Sequence, residues 1–93
     1  MEPEVFRNEV EQRYELRLDE VVVGVADFRE HGGTVVMPHT VVDHSHRGKG
    51  LAAVLVRGAL DDLRARGATI DPQCWYVADF VAANPDYADL VAG

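Results

Sequence analysis

The chain has 93 residues, of which 47% are hydrophobic and 27% charged, with a formal net charge of −7; that is one domain's worth of core, expected over residues 1–93, in an ordinary globular composition. The acidic balance opposes binding to a nucleic-acid backbone or an anionic membrane, and no apolar run approaches the ~20 residues of a bilayer span. The acidic start Met1-Glu2-Pro3-Glu4 lacks the basic and apolar parts of a secretory signal, and the single Cys74 excludes an internal disulfide, so a cytoplasmic location is expected.

Arg13 to Leu18 alternates, with Tyr14, Leu16 and Leu18 on one face and Arg13, Glu15 and Arg17 on the other, which predicts a half-buried strand. Asp19-Glu20 gives a turn, and the β-branched run Val21 to Phe28 pairs back as a hairpin. Glu30-His31-Gly32-Gly33 supplies the next turn, because the glycines tolerate positive φ. Thr34 to Val42 reads as a third strand interrupted at Pro38, which has no N–H to donate to a ladder.

From about Gly48 to Arg66 the apolar residues Leu51, Val54, Leu55, Ala59 and Leu63 follow helical spacing. Asp61 with Arg64 and Asp62 with Arg66 have the spacing of helical ion pairs, and Gly67 fits the position that ends the helix. Ala68 to Ile70 predicts a short strand closed by Asp71-Pro72. A second helical stripe follows at Tyr76, Val77, Phe80 and Val81, stopped at Asn84-Pro85, and Tyr87, Leu90 and Val91 give a last turn. The order β-β-β-α-β-α predicts an α+β fold: a mixed, mostly antiparallel sheet with one β-α-β crossover, making the strands around Val41 and Ile70 parallel.

The chemical signal is Arg47-Gly48-Lys49-Gly50-Leu51-Ala52 at the start of the first helix. Unpaired N–H groups and the helix dipole attract an oxyanion there, glycines 48 and 50 leave the backbone open to a bulky phosphate, and Arg47 and Lys49 add charge. Lys49 is the only lysine, and it sits with His44, His46 and Arg47 in one cationic patch on an acidic chain. A small anionic ligand suits that patch better than a polymer. The Walker pattern fails, because Leu51 and Ala52 follow Gly50 where lysine and serine or threonine belong. The dinucleotide spacing Gly48-x-Gly50-x-x-Ala53 is met, but four polar residues separate it from its strand and there is only one crossover.

Arg47-Gly48-Lys49-Gly50-Leu51-Ala52 resembles the Q/R-x-x-G-x-G/A signature of the GCN5-related N-acetyltransferases, with Arg47, Gly50 and Ala52 on its specified positions. His39-Thr40-Val41-Val42, Asp71-Pro72-Gln73-Cys74 and Asn84-Pro85-Asp86-Tyr87-Ala88-Asp89-Leu90 extend the likeness to the compact, single-domain GCN5-like subfamily, from about Arg13 to Val91. The resemblance implies an acetyl-CoA-dependent N-acetyltransferase of minimal fold, acting on an amine of a small molecule, peptide or protein; exposed strand edges permit but do not demand dimerisation, so a monomer or weak dimer is expected. It implies pyrophosphate on the N–H groups of Gly48, Lys49, Gly50, Leu51 and Ala52, assisted by Arg47. The pantetheine arm would lie along Val41 and Val42, where the strand splays from the one ending near Cys74. A bulge at Pro38 is common in such proteins.

Cys74 is the catalytic candidate the resemblance offers, beside the cofactor sulfur, where it takes the acetyl group or assists proton transfer; a small buried hydrophobe is the alternative. His39, just before the cofactor strand, is a candidate for proton transfer near neutrality, or a structural histidine. No metal site is expected, since His39, His44 and His46 match no zinc spacing. The subfamily usually has proline where this chain has Trp75, for which packing and a place at the acceptor end of the cleft are both open. The competing functional reading is a module that holds CoA or acyl-CoA without catalysis.

Overall fold

The computed structural model describes residues 2–92. The chain runs β1 (Glu4–Asn8), β2 (Arg13–Leu18), β3 (Val21–Asp27), β4 (Arg29–His31), β5 (Thr34–Val36), β6 (Thr40–Val42), a 3-10 turn (His44–His46), α1 (Leu51–Ala65), β7 (Thr69–Asp71), α2 (Trp75–Ala83) and a second 3-10 segment (Pro85–Leu90). Four strands form one sheet in the order β1-β2-β3-β6, all antiparallel, and three form another in the order β4-β5-β7. The mixed, mostly antiparallel α+β architecture is the one the sequence predicts.

The alternation in β2 sends Tyr14 and Leu16 against Leu55, Val56, Ala59, Leu60 and Leu63 of α1, with Val23 and Ala26 of β3 beside them. Each large apolar side chain buried there contributes roughly 1.5–3 kcal/mol. Helix α1 lies so close to the sheet that a β-carbon on Gly58 would stand 2.6 Å from the Val5 side chain. Only glycine allows that approach.

Four features of the sheet differ from expectation. β1 completes the meander ahead of the predicted hairpin, and Arg29–His31 is a short exposed strand rather than part of a turn. The predicted third strand is two: Met37 to His39 carries the chain from one sheet to the other, so β5 and β6 share no neighbour. The parallel partner of Ile70 is consequently Val35, not Val41, which instead pairs antiparallel with Val25.

Polar contacts clamp the helix and the C-terminal segment to this frame. The Tyr14 hydroxyl donates to Asp62 Oδ2 at 2.7 Å while accepting from Arg7 Nη1 at 2.7 Å, and Arg66 Nε completes the predicted helical pair with Asp62 at 2.7 Å. Asp61 does not pair with Arg64. It accepts from the Tyr87 hydroxyl at 2.6 Å, and Arg64 reaches Asp89 at 2.9 Å and the Asp86 carbonyl at 2.6 Å. On the other face of the sheet, buried Glu15 accepts from Arg17 at 2.7 Å, Asn8 at 2.9 Å and Arg13 at 3.0 Å. The Arg17 bond foremost, then that of Asn8, hold its carboxyl at about 2, against the burial that opposes ionisation.

Candidate functional site

At the end of β6 the Asp43 N–H donates to the Val23 carbonyl at 2.7 Å, which ties the strand's exit to β3 before the chain turns through His44–His46. Gly48 and Gly50 then take φ of +80° and +73°, a region that costs an ordinary L residue roughly 1–2 kcal/mol. A β-carbon at either would meet nothing within 4 Å, so steric room is not what these glycines supply within the protein itself; they supply the left-handed turn.

The turn aims the chain into α1 with its first N–H groups uncapped. The Val54 N–H is the first to reach a helical acceptor, the Gly50 carbonyl at 3.3 Å. Among the described residues no protein acceptor engages the N–H groups of Gly48 to Ala53, and no side chain caps the helix. Such a row of donors at the positive end of a 15-residue helix is an anion site in the making. Arg47 folds back so that its Nε donates to the Val42 carbonyl at 3.2 Å, and Lys49 is exposed.

The loop opens onto a cleft of about 410 Å³, with Thr40, Val41 and Val42 on one wall, Arg47 and Ala52 beside the helix start, and Trp75 and Tyr76 opposite. The cleft follows from the sheet order: β7 bonds to β5, so the edge of β6 facing away from β3 has no strand partner among the described residues. The Met37 N–H to the Asp71 carbonyl at 3.0 Å and the Cys74 N–H to the Met37 carbonyl at 2.8 Å pin the start of α2 to the crossing between sheets. This holds Cys74 beside the cleft wall, 7% exposed, with its thiol donating to Thr40 Oγ1 at 3.6 Å.

The structure therefore brings Val41, Val42, Arg47 and Ala52 to one cleft, sets Gly48, Lys49, Gly50 and Leu51 in the loop at its end, and places Cys74 behind Thr40. His39 stands elsewhere. It lines a separate depression of about 320 Å³ with Glu11, Gln12, Asp27, Phe28, Arg29 and Pro38, and its Nδ1 lies 3.4 Å from Asp27 Oδ2. His44 and His46 stay in the turn before the loop, His46 Nδ1 3.2 Å from Ser45 Oγ.

Three cleft residues lie outside the predicted site set: Thr40, Tyr76, which the sequence places in a helical stripe, and Trp75, which it leaves open between packing and the acceptor end of the cleft. Thr40 sits between the two histidine-and-valine candidates, and only the strand's alternation could have placed its hydroxyl opposite Cys74. Trp75 gave a usable signal: it falls outside the stripe whose members Val77, Phe80 and Val81 are buried. At 73% exposed it does not pack in the core.

A family model described as GCN5-related N-acetyl-transferase matches residues 13–90. Protein NATD1 of Bos taurus is 37% identical over 51 residues, which are 55% of this chain and 45% of that protein. Protein NATD1 of Xenopus tropicalis is 35% identical over 52 residues, 56% of this chain and 48% of that one. The matched region thus spans about half the length of these relatives. Among solved structures, the ribosomal-protein-alanine N-acetyltransferase from Brucella melitensis biovar Abortus 2308 superposes with a TM-score of 0.55 at 22% identity, covering 87% of this chain and 63% of that one. The likeness to that structure is one of fold.

Proposed function

The chain belongs to the GCN5-related N-acetyl-transferase family, and from that premise we propose that it moves an acetyl group from acetyl-CoA to the exposed amine of a peptide or protein. The observation that carries the reading is the row of unpartnered N–H groups from Gly48 to Ala53, continuous with an apolar cleft that ends beside a thiol. Pyrophosphate is assigned to that row, with Arg47 and Lys49 supplying charge. The unpaired edge of β6 at Val41 and Val42 offers backbone groups to the two amides of the pantetheine arm.

Bound in this way, acetyl-CoA supplies a thioester carbonyl carbon at which a C–N bond forms as the C–S bond breaks, with one proton passing from nitrogen to sulfur overall. Cys74 is assigned to the sulfur side of that exchange, its thiol held by Thr40 at the end of the cleft. His39, the other candidate for proton transfer, lines a neighbouring depression with its Nδ1 3.4 Å from Asp27 Oδ2, so a role for it at the amine requires the acceptor to reach across from that depression. Holding the two reactants in line accounts for most of the acceleration, which is why few side chains are needed. The cleft is open along one side, which suits an amine presented on a macromolecular surface.

A second reading, a module that holds CoA or acyl-CoA without transfer, is favoured by one observation: His39 lines a depression separate from the cleft, and Cys74 is buried behind the cleft's Thr40. Incubating the wild type and Cys74→Ala with acetyl-CoA and a panel of peptide amines, followed by mass spectrometry, decides between them. The enzyme reading expects acetylated peptide with the wild type and at least a tenfold slower reaction with the variant. Tight binding of acetyl-CoA with no acetylated product from any amine contradicts transfer.

A further inference from the structure

The side chain least explained by the fold is Trp75. It is the only tryptophan in the chain, it opens α2 immediately after Cys74, and it is 73% exposed while the other large apolar side chains of that helix turn inward. An indole left in water gains nothing for folding, and a large exposed apolar ring beside a concave surface marks a place where something else covers it. Three facts say what. Val41, itself 53% exposed, lines the same cleft as Trp75, so two bare apolar groups border one gap of about 410 Å³. The indole N–H has no acceptor among the described residues, leaving a donor beside the ring. The ring meets Tyr76 in an edge contact, at 5.7 Å between centroids and 75° between planes, so its aromatic neighbour is itself a residue that lines the cleft.

We propose that Trp75 is the closing wall of the cleft, packing its indole over the amide and thioester arm of the bound CoA ester and clamping that arm against Val41. The proposal rests on the CoA reading of the cleft and adds the residue that grips the arm. An arm that alternates methylenes with amides matches this wall in both respects, because the ring covers the methylenes and the indole N–H bonds an amide carbonyl. On the CoA reading the charged end of the ligand belongs at the α1 N-terminus, beside Arg47 and Ala52, and the arm belongs beside Trp75. Trp75 therefore discriminates between the two halves of the ligand: it acts on the arm and is indifferent to the nucleotide.

That division is what the experiment reads. Calorimetry measures the affinity of the wild type, Trp75→Ala and Trp75→Phe for acetyl-CoA and for the ADP half of CoA alone, while indole emission, excited at its red edge to avoid the adenine, reports on the single tryptophan. Trp75→Ala weakens acetyl-CoA by about tenfold and leaves the ADP half unchanged, and Trp75→Phe, which keeps a ring but not the N–H, loses about threefold. Wild-type emission shifts to the blue when acetyl-CoA saturates the protein and stays put with the ADP half. Because the side chain makes no core contact, both variants keep the wild-type melting temperature without ligand. Equal affinity of Trp75→Ala and wild type for acetyl-CoA, equal losses for both ligands, or unmoved emission at calorimetric saturation overturns the proposal while the CoA reading stands. If no CoA species binds the wild type at all, both fall together.

Discussion

Replacing Gly50 by aspartate separates what the loop does for folding from what it does for a ligand. Gly50 holds φ of +73° and ψ of +11° at the N-cap of α1, and an added β-carbon meets nothing within 4 Å. The steric cost is therefore confined to the left-handed backbone, where aspartate is tolerated better than most residues, at under about 1 kcal/mol. A carboxylate at an N-cap recovers part of that by accepting the free N–H of Ala52 or Ala53. The net change in stability is within about 1 kcal/mol, or less than ~8 °C in melting temperature for a chain of this size. The cost to a phosphate ligand is larger. The carboxylate competes for the N–H groups the ligand needs, and its charge at ~5 Å repels each phosphate charge by about 1–3 kcal/mol at an effective dielectric of roughly 20–80. Affinity falls by tenfold to more than a hundredfold on that scale. The assay is thermal melting with acetyl-CoA at about one hundred times the wild-type Kd, where ligand stabilises the wild type by about 2.7 kcal/mol and the variant by about 1.4 kcal/mol or less. A Gly50→Asp protein that melts normally and keeps the full wild-type ligand shift refutes the assignment of the loop.

Other perturbations test the frame around the site. Glu15→Gln, which leaves Arg13 and Arg17 facing an uncharged acceptor, lowers stability by about 1–3 kcal/mol at neutral pH in urea titrations. Because the folded carboxyl sits at about 2, below its ordinary 4.5, the difference is full above that ordinary value and fades as pH falls toward 2; a gap that persists unchanged at the acid end contradicts the network. Gly58→Ala gains helix propensity yet drives a β-carbon to 2.6 Å from Val5, so it destabilises by about 1–2 kcal/mol in chemical melts, whereas a stabilised variant means that β1 does not pack against α1 as described. Tyr87→Phe removes the hydroxyl that joins Asp61 to Arg57 and costs about 1 kcal/mol, with hydrogen exchange of the C-terminal 3-10 segment accelerating more than that of α1.

The parts of this molecule that were legible in the sequence are those with a strong period. β2 reads from its alternation because α1 covers one face of it and Arg13, Glu15 and Arg17 occupy the other. Helix α1 reads from its stripe, from Gly48 and Gly50 before it and from Gly67 after it, and its observed span of Leu51–Ala65 lies inside the predicted one. β1 was silent because Glu4-Val5-Phe6-Arg7-Asn8 puts a single apolar residue, Val5, toward the helix, with the charged Arg7 beside it, while Phe6 lies on the outer face under the Arg17 guanidinium, 4.2 Å from its ring. The fate of the third strand was half legible. Pro38 announces an interruption, but no local signal says that the residues before it join Ile70 and those after it join Val25, a choice made by long-range pairing. The same long-range choice creates the cleft, so the residues alone name Val41 and Val42 as a strand, whereas the splaying of its edge is implied only by the family resemblance. Cys74 and His39 illustrate the other limit. Their chemistry is readable from residue type, but the alternation that turns Thr40 toward the thiol leaves His39 on Asp27, and only coordinates reveal that.

A crystal structure with acetyl-CoA bound is the most direct measurement of the central claim, that the loop from Gly48 to Ala52 and the cleft beyond it hold one acyl-CoA with its thioester at Cys74. The expected complex has pyrophosphate oxygens within hydrogen-bonding distance of the loop N–H groups, the arm between Val41 and Trp75, and the thioester sulfur next to the Cys74 thiol. Pyrophosphate seated away from the α1 N-terminus, or a thioester that ends out of reach of Cys74, contradicts it.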